Sequence, residues 1–328
     1  MKRNKKSSPE ISRREFARRS ALACTGFSVL PGISALAWTG KERIRGNRPQ
    51  IRLGGPLFGT HNSPEEWVES LRELGYRAAY CPLDTSADSS TIRAYREAAL
   101  REDILISEVG AWCNPISPDE EERKQALEKC IDGLRLADEI GAACCVNVSG
   151  SRNGQNWAGP DMENLTGETL EMVVESTRKI IDAVSPTRTW FTLEAMPWAW
   201  PYSADSYLRL IKAIDRDRFA VHYDPVNLVV SPEIYFRNGE MIRDFFRKLG
   251  PRIKSCHAKD IVLREDIYTV QFSELRPGLG KLDYSAYLTS LSKLHEVPLM
   301  MEHLETAGEY EQAAGYIRKV AGENGIVC

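Results

Sequence analysis

Eight times along the chain a short run of apolar residues gives way to a longer amphipathic stretch, and this alternation limits the fold more than any other feature. The short runs are Ile51–Gly55, Tyr76–Leu83, Ile104–Val109, Ala142–Val148, Thr189–Glu194, Phe219–Tyr223, Ile253–His257 and Pro298–Met301. They are apolar at nearly every position rather than at every second one, as strands covered on both faces are. Between them run helical stripes such as Trp67, Leu71 and Leu74, or Leu127, Ile131, Leu134 and Ala137. Ser63-Pro64-Glu65-Glu66 reads as a capping box with Pro at the first helical position, and Gly141 ends the long helix. Parallel strands need a crossover helix between them. Eight such units between residues 51 and 328 predict an α/β fold, one (β/α)8 TIM barrel. An open dinucleotide-binding sheet would carry GxGxxG after its first strand, where this chain has PLFGTHN.

Four of the predicted strands end on groups that bind cations. In FAVHYDPVN the apolar run stops at Asp224, because Pro225 cannot donate to a ladder and biases the residue before it away from helix. TWFTLEAMP ends on Glu194, IKSCHAKD on His257 and PLMMEHL on Glu302. In a barrel all strand C-termini open on one face, so these four side chains converge there. Three carboxylates and one imidazole, with no thiolate, predict one divalent metal ion: Mn²⁺, Mg²⁺, Co²⁺ or Zn²⁺.

The loops on that face are aromatic: Trp112, Trp157, Trp198, Trp200 and Tyr202 all follow strand ends. Aromatic faces pack on the C–H faces of sugars, so a small carbohydrate is the expected substrate, with Trp112 and Trp198 among its contacts. Glu108 and Asn147, at the tips of strands three and four, are candidate hydroxyl binders. Lys259 either orients a substrate oxygen or pairs with Asp260. Pro277-Gly278-Leu279-Gly280-Lys281 lacks P-loop spacing and reads as a tight turn seating Asp283 as a helix cap, which favours a substrate without phosphate.

Charge excludes one class of partner. The whole chain carries −3, but residues 1–37 hold eight Lys/Arg and two Glu, leaving 35 basic and 44 acidic residues, a net of −9, in the remainder. A body that acidic does not suit a nucleic-acid backbone. An abasic-site endonuclease would also need more metal-binding His than the five present. The segment 1–37 reads as a twin-arginine (Tat) signal peptide: Ser12-Arg13-Arg14-Glu15-Phe16, an apolar stretch from Ala21, then Ala35-Leu36-Ala37 before Trp38. Residues 38–50 form a linker. Pro31 and Gly32 interrupt the apolar stretch and no later run could span a bilayer, so the expectation is export by the Tat machinery to the periplasm or beyond, without a stable membrane anchor. None of the eight Cys shows zinc-site spacing; most read as small buried hydrophobes, and no disulfide is assigned.

From about Ile51 to its end the chain resembles the sugar-phosphate isomerase/epimerase superfamily, the xylose-isomerase-like TIM barrels that include the ketose 3-epimerases. LEAMP, HYDPVN, CHAKD, the loop from Pro277 to Tyr284 and MEH carry the resemblance, in order and spacing. It implies the metal ligands Glu194, Asp224, His257 and Glu302, with Glu194 and Glu302 as the acid/base pair. The implied reaction is isomerisation or epimerisation: a proton is taken from beside a carbonyl and the resulting enediolate is stabilised by the metal. The chain departs from the ketose 3-epimerases at two places. Asn227 stands where they have a second substrate-binding His and is itself the candidate substrate contact there, and Leu263 followed by Arg264 stands where they have an Arg. With a leaving group beside the abstracted proton the same machinery would act as a keto-glycoside lyase or deglycosidase. A third reading is an exported sugar-binding protein without catalysis, against which the two glutamates count.

Overall fold

The computed structural model describes residues 50–294 and 296–328. The predicted signal at 1–37 and nearly all of the 38–50 linker lie outside the described residues. The chain runs β1 (Arg52–Gly54), α1 (Pro64–Glu73), β2 (Ala78–Tyr80), α2 (Ser89–Arg101), β3 (Leu105–Gly110), α3 (Glu120–Ile140), β4 (Cys144–Asn147), α4 (Gly167–Val184), β5 (Trp190–Glu194), α5 (Ala204–Ile214), β6 (Phe219–Tyr223), α6 (Pro232–Phe236), α7 (Asn238–Leu249), β7 (Ile253–Ala258), β8 (Asp260–Leu263), β9 (Phe272–Leu275), α8 (Tyr284–Leu291), β10 (Pro298–Met301) and α9 (Ala307–Glu323). Eight parallel strands close in the order β1-β10-β7-β6-β5-β4-β3-β2, the (β/α)8 barrel expected. The stretch between Lys259 and Lys281, which has no apolar pattern to predict, forms an antiparallel hairpin of β8 and β9.

Helix ends follow local chemistry. Ser63 accepts from Glu66 N at the start of α1, with Pro64 in the first turn, while Glu66 reaches past the cap to Asn62 N. That is a one-sided cap rather than the reciprocal box. Gly141 ends α3 in the left-handed region, where a side chain would be strained. Asp283 caps α8 as predicted.

Strand periodicity sorts side chains between the barrel interior and the helix layer. On β6, Phe219, Val221 and Tyr223 join the outer core, where Tyr223 stacks on Phe245 of α7 with ring centroids 4.1 Å apart. The alternate residues Ala220, His222 and the following Asp224 point the other way. The same alternation puts Thr192 and Glu194, Ser255, His257 and Lys259, and Met300 and Glu302 on the interior side, opposite the core residues Phe191 and Leu193, Cys256 and Ala258, and Leu299 and Met301. Three buried tyrosines then fix the strand ends from outside. Tyr207 of α5 donates to the carbonyls of Leu193 and His222 at 2.6 and 2.8 Å, Tyr287 of α8 to that of His257 at 2.8 Å, and Tyr284 to that of Lys259 at 2.8 Å. Buried groups left without such a partner would each cost about 1–3 kcal/mol, so these contacts hold the strand tips in place.

Candidate metal centre

The strands β5, β6, β7 and β10 are consecutive in the barrel wall, and each delivers one member of the quartet at its C-terminal end. One donor atom from each of Glu194, Asp224, His257 and Glu302 lies within 4.8 Å of all the others. All four side chains are buried. His257 Nδ1 is 2.7 Å from Glu302 Oε1 and 3.5 Å from Glu194 Oε1. Asp224 has its Oδ1 held by the Val226 amide at 2.9 Å, leaving Oδ2 to face the cluster. Asp224 Oδ2, His257 Nδ1 and Glu302 Oε1 are buried, and although other charged atoms stand at ion-pair distance, none of the three takes part in a hydrogen bond among the described residues. Three buried donor atoms gathered about one point and lacking well-aligned hydrogen bonds, backed by a fourth carboxylate, fit a small divalent cation.

Lys259 enters the same space. Its ammonium lies 2.5 Å from Glu302 Oε1, 2.7 Å from Asp224 Oδ2, 3.9 Å from Glu194 Oε1 and 3.8 Å from Glu274 Oε2 on β9. It does not pair with Asp260. Asp260 instead accepts from the amides of Gly278 and Gly280 through Oδ2 and from Leu282 through Oδ1, at 2.9–3.0 Å. A Cβ at Gly280 would run into that carboxylate, so the glycine turn is built around Asp260 and holds no phosphate cradle. Glu274 also accepts from His303 Nδ1 at 2.8 Å, so the hairpin closes one side of the centre.

The charges set one another's ionisation. Burial pushes the Glu194 carboxyl up, but His257 and Lys259 reverse this and hold it at about 2. Burial likewise opposes ionisation of Glu302, and His257, His303 and Lys259 hold it well below the usual carboxylate range. Burial lifts the Asp224 carboxyl to about 6; Lys259 opposes that rise while Glu194 and Glu302 add to it. For His257 burial favours the neutral ring, yet Glu302, Glu108 and Glu194 raise it well above the ordinary imidazole value. The Lys259 ammonium, despite burial, is stabilised by Asp224, Glu274, Glu302 and Glu194.

Of the predicted sugar contacts, Asn227 reaches the centre: its amide donates to Glu194 Oε1 at 2.9 Å and fixes that carboxylate. Trp112, Trp157 and Trp198 are partly buried against Val148, Met196 and Ala199, a small apolar cluster on the loops after β3, β4 and β5. Met196 Sδ lies 3.9 Å from the Asn227 amide, so the cluster borders the Glu194 side of the quartet. Trp198 Nε1 is committed to the Ala158 carbonyl at 2.8 Å. Asn147 is fully buried, accepts from Cys113 N at 3.1 Å and lies against the thiols of Cys113 and Cys130, so it braces the loop after β3 rather than a hydroxyl in the mouth. Those thiols are 3.5 Å apart and free. Glu108 also turns away from the mouth and spends both oxygens inside the barrel, on His222, Ser255 and His257. Sequence reasoning passed over His222, Ser255 and Glu274. His222 and Ser255 each stand two residues before a ligand, where strand periodicity puts them on the same face, and that was the available signal.

No protein with a curated function matches the chain in sequence. Solved structures match in fold. A D-tagatose 3-epimerase-like protein is 18% identical with a TM-score of 0.62, over 84% of this chain and 98% of its own. The 3-keto-D-glucoside 4-epimerase YcjR of E. coli is 15% identical with a TM-score of 0.61, over 82% and 100%. A xylose isomerase-like TIM barrel protein from Mycobacterium smegmatis, solved in complex with magnesium, is 18% identical with a TM-score of 0.58, over 85% and 98%. Residues 68–320 match the family model of the xylose isomerase-like TIM barrel, and the chain belongs to that family.

Proposed function

We propose that this protein is a divalent-metal-dependent sugar isomerase or epimerase that takes a proton from beside a carbonyl, on a non-phosphorylated sugar or sugar derivative. The observation that carries the reading is the order of the quartet around the wall. Glu194 and Glu302 are its outermost members, on β5 and β10, with Asp224 and His257 between them. A substrate carbon held over the centre therefore has a carboxylate on either side. The four residues would hold the ion, which when bound polarises the carbonyl and makes the adjacent proton acidic. Both glutamates are held ionised, so either can act as the base. Delivery from the opposite side requires that the second glutamate first take up a proton. Asn227, which donates to Glu194 Oε1, would keep that carboxylate oriented, and Lys259, which pairs here with Asp224 and Glu302, would be free to donate to a substrate oxygen once the ion holds those carboxylates.

The neighbour that acts on a 3-keto-glucoside supports a keto-sugar derivative as the substrate class, since a sugar oxidised beside its reacting carbon has the acidic proton this chemistry needs. It also keeps a lyase reading open. A glycosidic oxygen β to the abstracted proton would leave as an alkoxide that takes a proton, and the same base would eliminate rather than epimerise.

Glu→Gln variants test the assignment because Gln preserves size and an oxygen for the metal. Glu194→Gln and Glu302→Gln should keep more metal than a ligand deletion and lose roughly 10²–10⁴-fold in turnover. Incubated in D₂O with a panel of ketoses and 3-keto-glycosides, one variant should still wash out the substrate α-proton while making no epimer. In a lyase the base variant is dead and the other eliminates slowly. Two Gln variants that turn over like the wild type would leave the sugar-binding protein as the better account.

We propose also that residues 1–37 send the folded chain through the Tat machinery, which suits a protein that acquires its metal before it crosses the membrane. Precursor with Arg13→Lys and Arg14→Lys should accumulate in the cytoplasm; maturation at the normal rate would remove the twin-arginine reading.

A further inference from the structure

Beneath the quartet the barrel interior holds a second set of polar groups, Glu108, His222, Ser255 and Ser107, that shares His257 with it and itself gathers an acid and two imidazoles. Glu108 on β3 places Oε1 3.2 Å from His257 Nε2 and Oε2 2.9 Å from His222 Nε2. Ser255 Oγ donates to the same Oε2 at 2.8 Å and lies 2.9 Å from Ser107 Oγ. All five side chains are essentially sealed from solvent, none more than 3% exposed. The two imidazoles meet edge to face with centroids 4.1 Å apart. His257 is therefore gripped from below through Nε2, while its Nδ1 faces Glu302 and Glu194.

We infer that Glu108 is the positioning residue for the metal ligand His257: it fixes Nε2 as the nitrogen that carries the proton, so that Nδ1 presents its lone pair to the ion. An ionised carboxylate can only accept, so the nitrogen facing it must bear hydrogen, and a neutral imidazole has one hydrogen to place. A freely turning carboxylate would fix little. Glu108 does not turn, because His222 and Ser255 both donate to Oε2 and leave Oε1 aimed at His257. His222 thus acts through Glu108 and not on the substrate. The arrangement also brings a negative charge to the far side of the ligand ring, which strengthens its donation to the ion. The inference rests on the metal reading above and deepens it.

The test is metal binding, without turnover. Metal-stripped full-length protein is titrated with Zn²⁺ in competition with a chelator, and the ring nitrogens of the zinc-loaded form are read by ¹⁵N NMR. In the wild type the spectrum should show His257 bound through Nδ1, with a proton retained on Nε2. Glu108→Leu should weaken zinc binding about 10–100-fold. Glu108→Gln, whose amide oxygen can still accept from Nε2–H, should keep the Nδ1 bond and recover part of that loss. A merely structural role would weaken binding in both variants alike and leave the nitrogen assignment unchanged. Zinc held as tightly by Glu108→Leu as by the wild type overturns the inference and leaves the metal reading standing, whereas zinc bound through Nε2 in the wild type would put the ion among Glu108, His222 and His257 and overturn both. Failure of the wild type to take up zinc would overturn both, starting with the metal reading.

Discussion

At the N-terminal end of the barrel Arg52, the first residue of β1, donates to the Asp103 carbonyl and carboxylate at 2.8 Å each and lies 3.0 Å from Glu296. Arg77 pairs with the same Asp103. Two cations meet two carboxylates there, Arg52 from the start of β1 and the others from the one or two residues before β2, β3 and β10, and the acids remain 40% and 54% exposed. At the C-terminal end Glu194, Asp224, Glu274 and Glu302 surround one ammonium and the His257 ring, all but Glu274 buried. The first cluster balances its charge with side chains the fold already supplies. The second keeps an excess of carboxylate in a low-dielectric place, an arrangement that folding alone would not favour and that a divalent cation would offset. Charge balance, more than burial, separates a strut from a site in this molecule.

The largest effect that could break this comparison comes from deleting a ligand. Asp224→Ala and His257→Ala should each lose stoichiometric divalent metal, because each removes a fixed part of a four-atom shell. Full metal content in both would show the excess carboxylate to be structural after all.

A smaller change is expected at the other end. Arg52→Met removes the shared cation, but its partners are more than one-third exposed, so solvent takes up much of the loss. Stability should fall by roughly 1–2 kcal/mol in a denaturant titration, with metal content and turnover per folded molecule unchanged. Loss of metal in Arg52→Met would mean that the two ends are coupled and that the contrast between them is false.

The two clusters also differed in how visible they were in the sequence. The quartet could be read because each member stops an apolar run, and a barrel gathers strand ends on one face. Lys259 could be read only as a choice between two roles. Its pairing with Asp224 and Glu302 depends on where the β8–β9 hairpin turns, and that segment has too little apolar pattern to announce a strand. Glu108 looked like a rim residue because it sits near a strand tip. Its partner His222 lies 114 residues away, and nothing local says that the two side chains meet inside the barrel. Arg52, Asp103 and Glu296 were silent for the same reason: an Arg before an apolar run looks like any surface charge until the closed wall brings three strand starts together.

The finest test of the difference is its pH dependence. The carboxylates around His257 outweigh its burial and keep the ring protonated above the ordinary imidazole range, so a cation that takes Nδ1 must displace a proton at neutral pH. Metal affinity should therefore rise with pH, by about tenfold per unit while one proton is released. Burial, aided by Glu194 and Glu302, lifts the Asp224 carboxyl to about 6, so below that pH a second proton must leave and the dependence should steepen. The sign is the same for both groups: each raised value means a proton held longer as pH rises, and each held proton competes with the ion. Proton release measured alongside zinc binding in two buffers of different ionisation enthalpy reads the count directly. An affinity that stays flat between about pH 5 and 8 would mean that neither His257 nor Asp224 gives up a proton on binding, and hence that the ion does not sit among them.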